Sequence, residues 1–271
     1  MTTLPQVSPD WLLLRADADD RSRSRDLVRE AAALLPAGRQ VIHDLGSGSG
    51  AMMRWLAPQL PGPQHWVLHD ADAAILEHRD PRPVHDRSGR LAAGRPSVEQ
   101  LGELDVAALA DATLVVASAL LDVISFAELH TIVDACVELR VPVLFSLTVN
   151  GRVELDPPDR LDERFESAFN THQGRELDGR RLLGPDAAGV AADMLMDAGW
   201  RVHAVGTPWK LGLADEELTA RWLDGWLDAA TEQQPSLGAQ AVEYRAQRRA
   251  QLAARELRVT VHHEDVLAWP A

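Results

Sequence analysis

Between His43 and Gly50 the chain reads His-Asp-Leu-Gly-Ser-Gly-Ser-Gly, placing a carboxylate two positions ahead of a glycine-rich stretch. Glycines at this spacing permit a tight turn and let backbone N–H groups approach a ligand closely. The same letters nearly satisfy a dinucleotide fingerprint, with Gly46, Gly48 and Ala51 at its three small positions, so the glycines alone do not select a ligand. Asp44 discriminates. A pyrophosphate-binding loop gains nothing from a carboxylate beside its phosphates, whereas a ligand ammonium is satisfied by one, directly or through water.

Of the nucleoside cofactors that suit such a loop, S-adenosylmethionine (SAM) carries an ammonium on its methionine part, so charge favours it over NAD. Asp70 follows the last glycine at the distance where a carboxylate accepts ribose hydroxyls. It supports a nucleoside without separating SAM from NAD. Asp72 competes for that role but reads better as the N-cap of the helix containing Ile75 and Leu76.

Other residues carry weaker signals. Asn170, His172 and Gln173 cluster polar side chains, and His172 suits a general base or substrate partner as well as a helix-surface position. Asp122 either lines a pocket or bonds nearby backbone, and Trp209, after Thr207-Pro208 in a loop, is the better aromatic candidate for substrate contact. Trp222 and Trp226 share a helical face with Leu218 and read first as packing. His43 reads as a strand histidine without catalytic duty. His262 and His263 are adjacent on a strand, hence on opposite faces, which suits a shared metal poorly. Cys136 is the sole cysteine and reads as a buried hydrophobe, so neither an intramolecular disulfide nor a metal site is expected.

The elements that position these residues alternate. A helix from Arg21 buries Leu27, Val28, Ala31, Leu34 and Leu35, and stops at Pro36 and Gly38. A strand opens at Val41-Ile42, a helix spans 52–60 and Trp66-Val67-Leu68 forms a second strand. A third is expected within 97–104. Leu114-Val115-Val116-Ala117 is a continuous apolar run of the kind a parallel sheet buries on both faces. Ser125 and Glu128 have capping-box spacing for a helix reaching Arg140, followed by a strand at 141–147, a helix at 185–198 and strands at 201–205 and 259–262. Two helical stretches, 216–231 and 239–256, interrupt the last pair of strands and read as an inserted cap. The pattern implies a doubly wound, mainly parallel α/β sheet.

At 271 residues, 46% hydrophobic and 25% charged, the chain has material for one sizeable core. Its 27 basic and 41 acidic residues leave a formal charge of -14, which disfavours nucleic acid and anionic membranes as partners. Arg21, Arg23 and Arg25 form the densest basic run, but Asp17, Asp19, Asp20 and Asp26 surround them, so a solvated helix start is the expectation. No signal-peptide pattern opens residues 1–10 and no apolar stretch reaches membrane length. Lys210 is the single lysine among arginines, the bias of a high-GC bacterial genome, and a cytoplasmic protein is expected.

Asp-Leu-Gly-Ser-Gly-Ser-Gly at 44–50, together with Asp70, resembles motifs one and two of the class I SAM-dependent methyltransferases, over roughly 38–150 and the closing strands. A narrower resemblance, carried by Trp11-Leu12-Leu13-Leu14-Arg15, Ser118-Ala119-Leu120-Leu121-Asp122, Ala168-Phe169-Asn170-Thr171-His172-Gln173, Leu183-Gly184-Pro185-Asp186 and Pro208-Trp209-Lys210-Leu211, is to a group of high-GC bacterial small-molecule methyltransferases. In that group an arginine is usual where Lys210 stands. The resemblance implies a Rossmann-like sheet of seven strands, the last antiparallel, after an N-terminal helical segment at 1–37. The methyltransferase domain is then 38–271, with the helical cap at 216–256.

By position in the family pattern, Gly46, Ser47 and Gly48 hold the methionine part, Ala71 lies beside the adenine and Asp105 meets its amine, with Glu103 as rival. Ser118 and Ala119 stand where the methyl group is presented. Transfer is an in-line displacement at an already activated carbon, requiring alignment, exclusion of water and sometimes a base, for which His172 and Asp122 are the candidates. Asn170, Gln173 and Trp209 are the candidates for substrate contact. The leading expectation is methyl transfer from SAM to an O, N or C atom of a small molecule. An NAD-dependent oxidoreductase and a non-catalytic SAM-binding regulatory module are the alternatives, and a homodimer is left open.

Overall fold

A computed structural model describes residues 8–104 and 106–271. Two helices open it, α1 (Pro9–Ser22) and α2 (Arg25–Leu34), each capped by a serine: Ser8 accepts from the Trp11 N–H and Ser24 from that of Leu27. Between them Arg23 and Ser24 leave the helical path. The chain therefore turns sharply where the sequence suggested an uninterrupted helix start.

The central sheet has strand order β3-β2-β1-β4-β5-β10-β8, with β9 pairing to β10. Its parallel half consists of β1 (Gln40–Leu45), β2 (Gln64–Asp70), β3 (Ala93–Val98), β4 (Leu114–Ser118) and the start of β5 (Val143–Asp156). The antiparallel half is β8 (Trp200–Gly206), β9 (Trp209–Leu211) and β10 (Arg258–Pro270), the last pairing antiparallel with β5, β8 and β9. A small hairpin, β6 (Glu176–Leu177) and β7 (Arg180–Arg181), turns through Asp178 and Gly179, both with positive φ.

Helices α3 (Ala51–Leu56), α4 (Ala73–Glu77), α5 (Phe126–Leu139) and α7 (Ala187–Asp197) join the strands. Asp72 caps α4 by accepting from the Ala74 and Ile75 N–H groups, and Ser125 with Glu128 forms the capping box of α5. Leu27, Leu56, Trp66 and Leu267 form the core on one sheet face. Leu129, Ile132, Phe145 and Leu195 form it on the other.

A third core lies beyond the end of the parallel half. There β5 and β10 continue past the other strands, and α6 (Asp162–Gln173), α8 (Glu216–Gln233) and α9 (Gly238–Ala253) pack Phe165, Trp226 and Tyr244 against Val259 and Val261. The guanidinium of Arg248, fully buried, bonds Asp162 and the Pro157 carbonyl and lies 4.9 Å from the Tyr244 ring. Both insert helices expected from sequence are present. No helix among the described residues is long and apolar enough to cross a membrane.

Three expectations are corrected. The third strand lies at 93–98, earlier than 97–104, because Leu101 and Leu104 turn inward from a single 3-10 turn while the edge strand Ala-Gly-Arg-Pro-Ser-Val is largely exposed. Strands β5 and β10 run far beyond 141–147 and 259–262: the distal half of β5 alternates polar and apolar residues, and β10 continues through the buried run Val266–Ala268 between β5 and β8. Trp209 stands in a strand, not a loop.

Candidate active site

The carboxyl ends of β1, β2, β4 and β5 open into a cavity of about 530 Å³, lined on one side by α1. Its floor is the turn after β1, where Gly46, Gly48 and Gly50 adopt φ of +63°, +52° and +78°. The left-handed φ at Gly46 favours glycine there, and a β-carbon would stand 2.7 Å from Leu120 Cδ1, so the leucine tip would have to move. The Gly48 N–H donates to one oxygen of Asp70 at 2.8 Å and the Asp72 N–H to the other at 3.0 Å, which fixes the carboxylate at the end of β2. Burial holds Asp70 above the ordinary carboxylate range even so.

Asp44 is 1% exposed, and neither of its oxygens has a hydrogen-bond partner. Burial pushes its pKa up to about 8, with the Arg23 charge opposing and Asp70 reinforcing the shift. Arg23 lies across the cavity wall at 4% exposure, its guanidinium bonded to Asp20 at 2.7 Å and to Ser118 Oγ at 3.1 Å, and 5.3 Å from the Trp55 ring. The expected solvated helix start is thus wrong for Arg23. The break between α1 and α2 turns this one residue inward while Arg21 and Arg25 remain outside.

No protein-family model matches the chain and no curated protein matches it in sequence. Among solved structures, a putative type II methyltransferase from Anaeromyxobacter dehalogenans superposes with a TM-score of 0.54 at 14% identity, over 93% of this chain and 99% of its own. The chain has the Rossmann-like methyltransferase fold. Cyclopropane synthase MmaA2 from Mycobacterium tuberculosis (TM-score 0.49, 13% identity, 97% of this chain, 94% of its own) is also similar. So is a SAM-dependent methyltransferase from Geobacter sulfurreducens in complex with S-adenosyl-L-homocysteine (TM-score 0.46, 14% identity, 97% and 99%).

On this methyltransferase fold, Asp44, Gly46, Ser47, Gly48, Asp70 and Ala71 line the cavity. Ser118, Ala119, Asp122 and Trp209 line it too, as do Arg15, Asp19 and Gln100, to which the sequence had assigned no site role. Ala119 takes a left-handed φ of +52° while its N–H bonds the Ser146 carbonyl, turning the chain away at the end of β4. Asp122 is buried, one oxygen lacks a partner, and burial pushes its pKa up to about 6. Asp105 lies outside the described residues; Glu103, its rival, ends the 3-10 turn Leu101–Glu103.

His172, Asn170 and Gln173 are not brought to this cavity. On α6 it is Phe169 that lines it, while Asn170 donates to the Gly151 carbonyl at 2.9 Å and borders a separate polar cavity with Arg175. His172 faces α8, with Nε2 3.4 Å from Glu232 and Arg175 Nη1 3.2 Å from its Nδ1; burial lowers its pKa. His43 packs inside the sheet, bonded to His69 and Asp111. Of the terminal histidine pair, His262 stands 3.3 Å from Glu154 whereas His263 is buried on the cavity wall.

Proposed function

We propose that this protein binds SAM in the glycine-floored cavity and transfers its methyl group to a small-molecule acceptor. The observation that carries this is Asp44, a buried carboxylate with both oxygens unpartnered, facing the buried guanidinium of Arg23. A buried carboxyl without hydrogen-bond partners is costly, and ionises readily only when a ligand completes it. An amino acid zwitterion does so from both sides, its ammonium on Asp44 and its carboxylate toward Arg23 and the Ser118 hydroxyl. A dinucleotide pyrophosphate would instead meet Asp44 as a repulsion, which is why the NAD reading is set aside.

The other roles in this reading follow from that contact. Main-chain groups of Gly46, Ser47 and Gly48 hold the methionine part, Asp70 accepts from the ribose hydroxyls, and Ala71 and Gln100 border the adenine. When bound, SAM supplies a methyl carbon already activated by sulfonium. The chain then has to orient the acceptor and keep out water. Ser118 and Ala119 border the reacting centre, Asp122 offers a carboxylate for holding the acceptor, and Trp209 a ring. The segment 1–37 belongs functionally to the site through Arg15, Asp19 and Arg23, and the 216–256 insert covers it through Trp222.

The charge of -14 and the arginine bias support a bacterial cytosolic enzyme acting on small molecules and not on nucleic acid. Calorimetry with S-adenosylhomocysteine (SAH) and with NAD tests the reading: SAH binding at about micromolar Kd and no NAD signal are expected. NAD binding without SAH binding would overturn it, and SAH binding without methylation of any acceptor would favour the regulatory module.

A further inference from the structure

The part of the cavity beyond the glycine turn is walled by rings delivered from five separate elements: Trp11 of α1, Phe169 of α6, Trp209 of β9, Trp222 of α8 and His263 of β10. Trp11 and Trp209 have ring centroids 6.5 Å apart at 57°, and Trp209 and His263 5.2 Å apart at 48°. Trp222 is held by stacking on Trp226 at 5.4 Å and 18°. Val149 and Val261 fill the gaps. Rigid aromatic faces of this kind bury a flat apolar ligand at little cost in side-chain entropy.

The charged groups in this wall are already committed to one another. Arg15 makes two bonds to Asp19, at 2.9 and 3.1 Å, and its guanidinium lies 4.9 Å from the Trp209 ring, whose Nε1–H donates to Asp19 at 3.0 Å. A ligand ammonium on the Trp209 face would meet that guanidinium, and a phosphate would find its charge already paired. A neutral ring meets neither objection.

Beside Asp122, with its one open oxygen, His263 is the polar group left over. It is 3% exposed, and its Nδ1 has no partner. Among its strand neighbours only the Val261 backbone bonds the ring, leaving Nδ1 open: Asp265 already accepts from the Ser24 and Leu147 N–H groups and the Thr207 hydroxyl, each at 2.8 Å, and His262 stands by Glu154. Of the other groups facing it, Arg15 and Asp19 form the pair just described. A buried imidazole nitrogen without a partner in an apolar wall awaits one from a ligand.

We propose that this compartment takes a flat aromatic acceptor bearing a hydroxyl, seated on Trp209 and Trp222, and that His263 receives the hydroxyl proton during methyl transfer. The proposal rests on the SAM reading above. A lone pair of the acceptor oxygen forms the O–C bond to the methyl carbon while the C–S bond breaks, its electrons remaining on sulfur as a neutral thioether. The hydroxyl proton passes to the neutral imidazole and later to water, so one positive charge moves from sulfonium to imidazolium. Burial, then Arg15, lowers the His263 pKa to about 4, which keeps the imidazole neutral at physiological pH; Asp19 opposes this. A base this weak is sufficient, because the oxygen becomes strongly acidic as its bond to the methyl group forms.

The test uses the full chain and two probes, 7-hydroxycoumarin as the flat phenol and cyclohexanol as the non-aromatic alcohol. With SAH bound, 7-hydroxycoumarin should quench tryptophan fluorescence with a Kd of roughly 10–100 µM, and Trp209→Leu or Trp222→Leu should weaken it about tenfold while SAH affinity changes less than about twofold. With SAM, His263→Gln should lower kcat for 7-hydroxycoumarin about 100-fold at nearly constant KM and remove the acid limb of the kcat profile, a split that loss of packing alone would not produce. His263→Asn repeats the test if glutamine is not accommodated. SAH binding accompanied by no quenching, or by equal affinity for cyclohexanol, overturns the aromatic site. Binding without methylation, an unchanged kcat in both histidine variants, or an acid limb lost only in Asp122→Asn overturns the role of His263. Failure of SAH itself to bind would instead sink the cofactor reading.

Discussion

At the scale of the residue, Asp44 couples ligand binding to protons. Its folded pKa of about 8 exceeds the ordinary value of 3.8, so the empty folded state holds a proton that the unfolded chain releases. The stability tied to that proton is complete below pH 4 and is lost as the pH rises toward 8. Asp44→Asn, which cannot ionise, should therefore raise the melting temperature of the empty protein by a few degrees at pH 8 and by less at pH 5, while abolishing SAH binding. A lower melting temperature at pH 8 would contradict this account of Asp44. An ammonium ligand favours the ionised carboxylate, so SAH affinity should increase from pH 5 to pH 8 and binding should release a proton, readable by calorimetry in buffers of different ionisation enthalpy. For Asp70→Ala, loss of a charged acceptor from two hydroxyls should cost about 1–3 kcal/mol of SAH binding. Asp72→Ala should lower stability through its cap on α4 and leave binding nearly intact.

Elements decide which of these residues meet, and here the sequence is uneven. The turn after β1 was legible because a strand, three glycines and a carboxylate are local features, and the Asp72 cap and the Ser125 capping box were legible for the same reason. Arg23 was not, because its inward turn depends on a two-residue break between helices and on Ser24 being anchored to Asp265, which lies 241 positions away. The grouping of Asn170, His172 and Gln173 misled because α6 presents Phe169 to the cavity and these residues elsewhere. Polar residues close in sequence occupy different faces of a helix. The helical insert depends on Arg248, whose ion pair with Asp162 lies beneath α9. Arg248→Met should destabilise the chain by about 3–5 kcal/mol in a urea titration, since Asp162 and the Pro157 carbonyl would both lose the buried guanidinium that bonds them. A loss below about 1 kcal/mol would show that the pair is dispensable.

For the whole molecule, the sheet supplies the half of the cavity proposed for the cofactor, while α1, α6, α8 and the extension of β10 supply the other half. The alternating strand and helix signals announced the sheet. Of the second half, Trp209 and the helical insert were legible in sequence, but their meeting with Trp11 and His263 was not, because those rings come from distant positions and share no spacing. This division predicts a staged response in hydrogen exchange. SAH alone should protect 44–50 and the end of α1, and α8 should gain protection only when an aromatic acceptor is added. Equal protection of α8 by SAH alone would make the insert part of the cofactor site.

The central claim is that Asp44 and Arg23 grip the two charged ends of the methionine part of SAM. A crystal structure of the SAH complex tests it most directly. The account predicts the ammonium within hydrogen-bond reach of the Asp44 carboxylate, directly or through one water, with the ligand carboxylate at Arg23. An SAH whose methionine part points away from both residues, leaving Asp44 unliganded, would contradict it.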